Sequence, residues 1–380
     1  MSSTNSAINT FLSFLKGEDL MLKLSWDEYL KIEPPFPKTQ YSVQEVTSRY
    51  SRNGYEWDIH GKLYTPEKEV IPKNAIIMVH GGAVNESTFD KAPKNRPGWA
   101  RVVASQGFKV LTVSYPGLWP PGGVWSKSAE ERTPIFLLDR DISSRELKDR
   151  ILKYTFNLVV QGIAALVDQN LSGSNILVFG HSIGARLVVD LWKFTKNAKV
   201  TGILGFSSLG PKRWEDELNE TLFQRTDVET PREEKPTLEK LTRYQTILPQ
   251  TQKPRIFLPI LRTPAELEEC VKISGLPREE YFDNTLTREP DRMWLKSIRV
   301  LLLFGENDTF PRERAYWPQD RLLYYRPAYY VSKKFFEATS GTRLVIVPKF
   351  THTGHLEPHS EMMTYLWLWA IKAGYFQTGF

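Results

Sequence analysis

Cysteine is almost missing from this chain: one residue, Cys270, stands among 380. A single thiol cannot close an intrachain disulfide, so an apolar core must hold the fold, and a reducing compartment suits it. Long hydrophobic runs are missing too, and nothing approaches the roughly 18 apolar residues of a membrane-spanning helix. The opening Met1-Ser2-Ser3-Thr4-Asn5-Ser6 has neither the basic start nor the apolar stretch of a secretory signal, which makes the cytoplasm the expected location. No basic stripe, RNA-binding signature or zinc-ligand spacing occurs. The formal net charge of +6 is mild for this length, and nucleic-acid binding needs a clustered basic footprint. Nucleic acid is therefore not expected as a partner, nor a metal or other cofactor in the chemistry. Internal repeats and low-complexity tracts are also lacking.

What is present is ordinary globular material, 41% hydrophobic, enough for one large α/β unit plus an insertion. Its most informative stretch is Gly180-His181-Ser182-Ile183-Gly184. The apolar run Asn175 to Phe179 precedes it and Ala185-Arg186-Leu187-Val188-Val189 follows it. This is a GxSxG pattern between a strand and a helix, where a sharp turn exposes one serine. The flanking glycines suit a strained nucleophile whose neighbours have no room for a Cβ atom. A serine hydroxyl is a poor nucleophile near neutral pH, so a histidine base and an orienting carboxylate are required elsewhere.

Candidates for both follow in the chain. The apolar run Ile298 to Phe304 ends in Gly305-Glu306-Asn307-Asp308, and the run Arg343 to Pro348 opens into Thr351-His352-Thr353-Gly354-His355-Leu356. Ser182, Asp308 and His355 therefore stand in the order nucleophile, acid, base. Glu306 competes with Asp308, and His352 with His355. His181, His60 and His359 read as packing or hydrogen-bonding residues, and His80 as a brace for the loop it begins.

On these motifs the chain resembles the α/β-hydrolase family from about Tyr41 to the C-terminus. Ala75 to Val79 followed by His80-Gly81-Gly82-Ala83 is similar to the family's oxyanion loop. The resemblance implies that the backbone N–H groups of Ile183 and of Gly82 or Ala83 stabilise the oxyanion of a tetrahedral intermediate. It also favours Asp308 and His355 within their pairs, because the family's acid follows its strand by a short loop and a Gly-His pair introduces the last helix. Strand and helix order agrees. Alternating residues either side of Asn53-Gly54 predict an antiparallel hairpin. Apolar strands alternating with amphipathic helices then predict a mostly parallel sheet covered on both faces. The expected fold is the α/β-hydrolase fold: an eight-stranded sheet with a helical cap.

Three segments depart from that rhythm. Residues 1–40 carry short amphipathic helices that cover the sheet, brace the cap or form a homodimer contact. The stretch from Tyr115 to about Ile142 is long for a strand-to-helix connection and rich in proline, which suggests an ordered wall at the site. Residues 208–294 interrupt the core, taken as 41–207 and 295–380, and the resemblance implies that they form the cap. Trp119, Trp125, Trp214 and Trp294 are candidates for an apolar pocket, which would suit a small-molecule acyl substrate with an apolar part. The function expected from the resemblance is hydrolysis of a carboxylic ester or related acyl bond through an acyl-enzyme. An aspartate nucleophile, as in dehalogenases and epoxide hydrolases of the family, is absent from the elbow. Amidase, lactonase, carbon–carbon hydrolase and acyltransferase chemistry stay open on the same residues, as does a ligand-binding protein without turnover.

Overall fold

The computed structural model describes residues 4–52, 55–81, 86–115, 156–182, 184–207, 292–306, 308, 339, 341–350, 352 and 354–376. The described residues form eleven strands: β1 (Met21–Lys23), β2 (Tyr41–Arg52), β3 (Tyr55–Pro66), β4 (Asn74–Val79), β5 (Lys91–Ala92), β6 (Arg96–Pro97), β7 (Lys109–Val113), β8 (Asn175–His181), β9 (Lys199–Phe206), β10 (Arg299–Gly305) and β11 (Gly341–Val347). The helices among the described residues are α1 (Thr4–Lys16), α2 (Trp26–Tyr29), α3 (Trp99–Ser105), α4 (Phe156–Asn170), α5 (Gly184–Leu191), α6 (Arg292–Leu295) and α7 (Glu361–Lys372). Nine strands join in one sheet in the order β1-β11-β10-β9-β8-β4-β7-β3-β2. All its pairings are parallel except β2 with β3 and β3 with β7.

The hairpin register runs from Tyr41 opposite Pro66 to Arg52 opposite Tyr55, so two residues of sequence separate the paired strands. A two-residue connection is the length that Asn-Gly serves best. In the centre of the sheet, period-two alternation sends side chains to opposite faces. Ala75, Ile77 and Val79 of β4, with Ile176 and Val178 of β8, pack toward α4 and α5 in one core. Ile76, Met78, Leu177 and Phe179 face the other core, with α1, α3 and α7. Central strands that are buried on both faces read in sequence as unbroken apolar runs.

The ninth strand is the departure from the eight expected. Met21, Leu22 and Lys23 pair in parallel with Leu344, Val345 and Ile346 and extend the sheet beyond β11. Three residues carry no periodic signal, so only their tertiary partner makes them a strand. The apolar side of α1 is buried here, with Phe11, Phe14 and Leu15 packed into the core under α7. Arg343, itself buried, donates from Nε to the Phe14 carbonyl at 3.2 Å and from its guanidinium to that of Gly17. The N-terminal segment thus joins the sheet edge through β1 and the apolar core through α1.

Candidate active site

Parallel strands aim their carboxyl ends at one edge of the sheet, and loops there build ligand sites in such folds. The centre of that edge is the turn from β8 into α5. Ser182 holds φ at 53°, a left-handed conformation that costs a non-glycine residue of order 1–3 kcal/mol. A Cβ on Gly180 would stand 2.4 Å from Ala185 Cα, and one on Gly184 would stand 2.4 Å from the His80 carbonyl oxygen. Both glycines of the pattern are thus required by backbone contact. The Ser182 N–H donates to the Phe206 carbonyl at 3.2 Å, which ties the turn to the end of β9.

The loop after β4 lies directly against this turn. A Cβ on Gly81 would meet His181 Nδ1 at 2.8 Å and Ser182 Cβ at 2.9 Å, so only glycine passes. His80 braces the loop as expected. Its Nδ1–H donates to the Gly81 carbonyl at 2.7 Å, its ring stacks on Tyr115 at 3.9 Å, and the Tyr115 hydroxyl donates to the His80 carbonyl. Burial pushes the His80 pKa down to about 4, partly offset by that backbone hydrogen bond, so the brace stays neutral. Gly82, Ala83 and Ile183, the expected oxyanion donors, lie outside the described residues.

Two strands further along, Asp308 follows β10, its N–H bonded to the Gly305 carbonyl at 3.0 Å. Its carboxylate meets His352, with Nδ1 at 3.0 Å from Oδ1 and 3.2 Å from Oδ2, and both side chains are nearly buried. Glu306 turns elsewhere, pairing with Lys23 of β1 at 2.7 Å and accepting the Lys349 N–H at 3.2 Å.

The partner of Asp308 is therefore His352 and not His355, and the expected pairing is corrected on this point. His355 sits in the 3-10 turn Gly354–Leu356, with Nε2 hydrogen-bonded to Thr88 Oγ1 at 2.6 Å. The cause is how that turn is held. Arg96 donates to the carbonyls of Glu357 at 2.7 Å and Leu356 at 3.0 Å and draws the turn toward the 3-10 segment Glu86–Phe89. His352, one step earlier, stays beside the end of β10.

His181 links these parts, its Nε2–H donating to the His352 carbonyl at 2.8 Å. Its ring centroid lies 5.1 Å from that of His352 and 4.6 Å from that of His355. Burial first, then the two neighbouring histidines, hold its pKa well below the ordinary value.

No family model matches the chain, and no curated protein is similar to it in sequence. Solved structures do superpose on it. A probable hydrolytic enzyme from Pseudomonas aeruginosa PAO1 aligns over 91% of this chain and 99% of its own, with TM-score 0.54 and 14% identity. A thermophilic esterase from Thermogutta terrifontis aligns over 87% and 99%, with TM-score 0.50 and 14% identity. MenH from S. aureus aligns over 82% and 98%, with the same score and identity. The fold is the α/β-hydrolase fold. Identity at this level carries the fold and no more, so the chemistry must be argued from the site.

Within the α/β-hydrolase fold the remaining expected residues divide. Trp119, Trp125 and Trp214, and all of the expected cap but its last three residues, lie outside the described residues. Trp294 is not placed as expected. It belongs to α6, which enters the amino end of β10, whereas Ser182 and Asp308 leave the carboxyl ends of their strands. There it stacks on Trp192 at 5.1 Å and 11° against the core.

Glu86 went unnoticed in the sequence. Fully buried, it accepts hydrogen bonds from Ser114 and, at 3.2 Å, from Ser87, and burial raises its pKa. Its only sequence signal is its place a few residues after the His-Gly-Gly loop. Among the described residues no group of three or more histidine, cysteine or carboxylate side chains is arranged to hold a metal, and no helix is long and apolar enough to cross a membrane.

Proposed function

We propose that this chain is a serine-dependent hydrolase of a carboxylic ester or related acyl bond, in which Ser182 is the nucleophile, His352 the base and Asp308 the residue that orients the base. The observation that carries this reading is the Asp308–His352 pair, which the His181–His352 hydrogen bond ties to the strand-turn-helix elbow where Ser182 is strained. A ring that donates Nδ1–H to a carboxylate keeps its lone pair on Nε2, the nitrogen that must take the serine proton. Attack by Ser182 Oγ on the acyl carbonyl passes that proton to His352. The imidazolium then returns it to the departing alcohol, which leaves the acyl group on Ser182. Water, deprotonated by the same nitrogen, attacks the acyl-enzyme and releases the acid. Backbone N–H groups of Ile183 and of Gly82 or Ala83 are assigned to the oxyanion, a contribution of about 3 kcal/mol per donor in such sites. Trp119, Trp125 and Trp214 are assigned to an apolar wall for the acyl part of a small-molecule substrate.

The test is labelling with a fluorophosphonate, alongside turnover of a panel of aryl esters, amides and lactones. Labelling is expected to vanish in Ser182→Ala. Turnover is expected to fall by about three orders of magnitude in His352→Ala and Asp308→Asn. His355→Ala and Glu306→Gln are expected to retain most of it. Loss of activity in His355→Ala with His352→Ala unaffected would return the base to His355, and a folded protein that takes no label would end the serine-hydrolase reading.

A further inference from the structure

We infer that His181, the residue just before the nucleophile, is a positioning residue that locks the base loop to the nucleophile elbow; the inference rests on the proposed roles of Ser182 and His352. His181 ends β8, so its backbone is continuous with the strained Ser182. Its side chain reaches over the end of β9 to the His352 carbonyl, with 2.8 Å between Nε2 and the oxygen. A carbonyl only accepts, so the ring must carry its proton on Nε2.

The ring has little room to turn. On one side it stacks on Phe206, with centroids 5.9 Å apart and planes within 15°. On another, its Nδ1 lies 2.8 Å from the point a Cβ on Gly81 would occupy. His181 thus touches three parts that must stay in register: the elbow, the start of the loop assigned to the oxyanion, and the backbone of the base.

Its chemistry suits a strut rather than a second base. His352 becomes an imidazolium when it takes the Ser182 proton, and that charge appears 5.1 Å from the His181 ring. A protonated His181 would oppose it. Full burial keeps His181 neutral, so it fixes the His352 backbone without repelling the charged ring. Reacting groups tolerate little misplacement, and a shift of about 1 Å in the base can cost on the order of 100-fold in rate.

Two substitutions separate the donor from the ring. His181→Phe keeps the flat packing and loses the donor, whereas His181→Gln places an amide N–H near the position of Nε2. With an aryl ester as substrate, kcat is expected to fall about tenfold in His181→Phe, the value of one net hydrogen bond, while KM changes by less than about twofold. His181→Gln is expected to recover most of the loss. A folded His181→Phe with unchanged kcat, a loss confined to KM, or a glutamine variant as slow as the phenylalanine one would each overturn the inference.

Nitrogen-15 NMR of the unsubstituted protein provides a check that needs no variant to fold. The His181 imidazole is expected as the Nε2–H tautomer, and an Nδ1–H tautomer overturns the inference outright. Failure of the underlying reading looks different. Turnover that survives Ser182→Ala or His352→Ala removes the triad itself, whereas full sensitivity at those residues with indifference at His181 removes the strut alone.

Discussion

Burial displaces the pKa values of three ionisable residues, His80, His181 and Glu86. Burial holds His80 neutral down to about pH 4, and burial, with the neighbouring His355 and His352, holds the His181 pKa well below its ordinary value. In the unfolded chain each takes up a proton near pH 6.5. Between those limits the unfolded state binds more protons, so stability falls as pH drops through 6.5 and levels off below the folded values. For His80 the loss across that window is about 3 kcal/mol, readable as a decline in denaturation midpoint from pH 7 to pH 4. Glu86 runs the other way, because its raised folded pKa means that ionisation within the core is resisted. Glu86→Gln is therefore expected to raise Tm at pH 7 by a few degrees, a gain that shrinks toward pH 4, where Glu86 is itself protonated. An equal gain at both pH values would mean that packing, not charge, sets its effect.

Single elements place the site through contacts that their own sequences only partly announce. The helix after the nucleophile begins with Gly184 pressed on the carbonyls of Val79 and His80, at 2.5 and 2.4 Å from the position of a Cβ. Gly184→Ala must push the loop after β4 off the elbow. The expected cost is about 1–3 kcal/mol in chemical denaturation, as for other overpacked sites, with a larger loss in fluorophosphonate labelling. At the other edge of the active strands, Arg343 of β11 fixes α1 through the carbonyls of Phe14 and Gly17 and lays its guanidinium over the Phe14 ring at 5.8 Å. Arg343→Leu removes the side-chain donor to both carbonyls, and the Phe14 carbonyl keeps only the Gly17 N–H at 3.2 Å. It is expected to cost about 1–3 kcal/mol and to speed hydrogen exchange in residues 4–23 ahead of the rest of the sheet. Uniform exchange across the molecule would show that α1 and β1 open only with the whole fold.

Across the whole molecule, the two cores meet the site from opposite faces of the sheet. Under the elbow, Trp367 of α7 packs on Phe179 of β8 at 4.7 Å and edge-on to Trp99 at 4.8 Å, fully buried. Trp367→Ala is expected to cost about 3–5 kcal/mol, seen as a large drop in the denaturation midpoint. Much of this architecture is legible in the sequence, because strands buried on both faces appear as apolar runs and the elbow carries its glycines for steric reasons. Short β1 is not legible, since only its pairing with β11 makes it a strand. Nor is the choice between His352 and His355. Their spacing of three puts both at the same edge, and the decision lies with Arg96 and Thr88, about 260 residues away in the chain. Trp294 misleads because a tryptophan near a core strand reads the same at either end of it.

The pairing of β1 with β11 has a bearing on how the protein is made. Leu22 lies beside Val345, Tyr29 donates to the His359 carbonyl at 2.8 Å, and Trp369 donates to that of Glu33 at 2.8 Å. Residues 21–33 therefore have docking partners more than 300 residues further along the chain. Until residues 341–372 emerge, the apolar side of α1 and the strand next to Asp308 both lack their neighbours, and contacts this distant in sequence form slowly. The sheet edge nearest the Asp308–His352 pair thus waits on the meeting of residues 21–33 with residues 344–369, so the surroundings of the site are completed by the slowest class of contact in the fold.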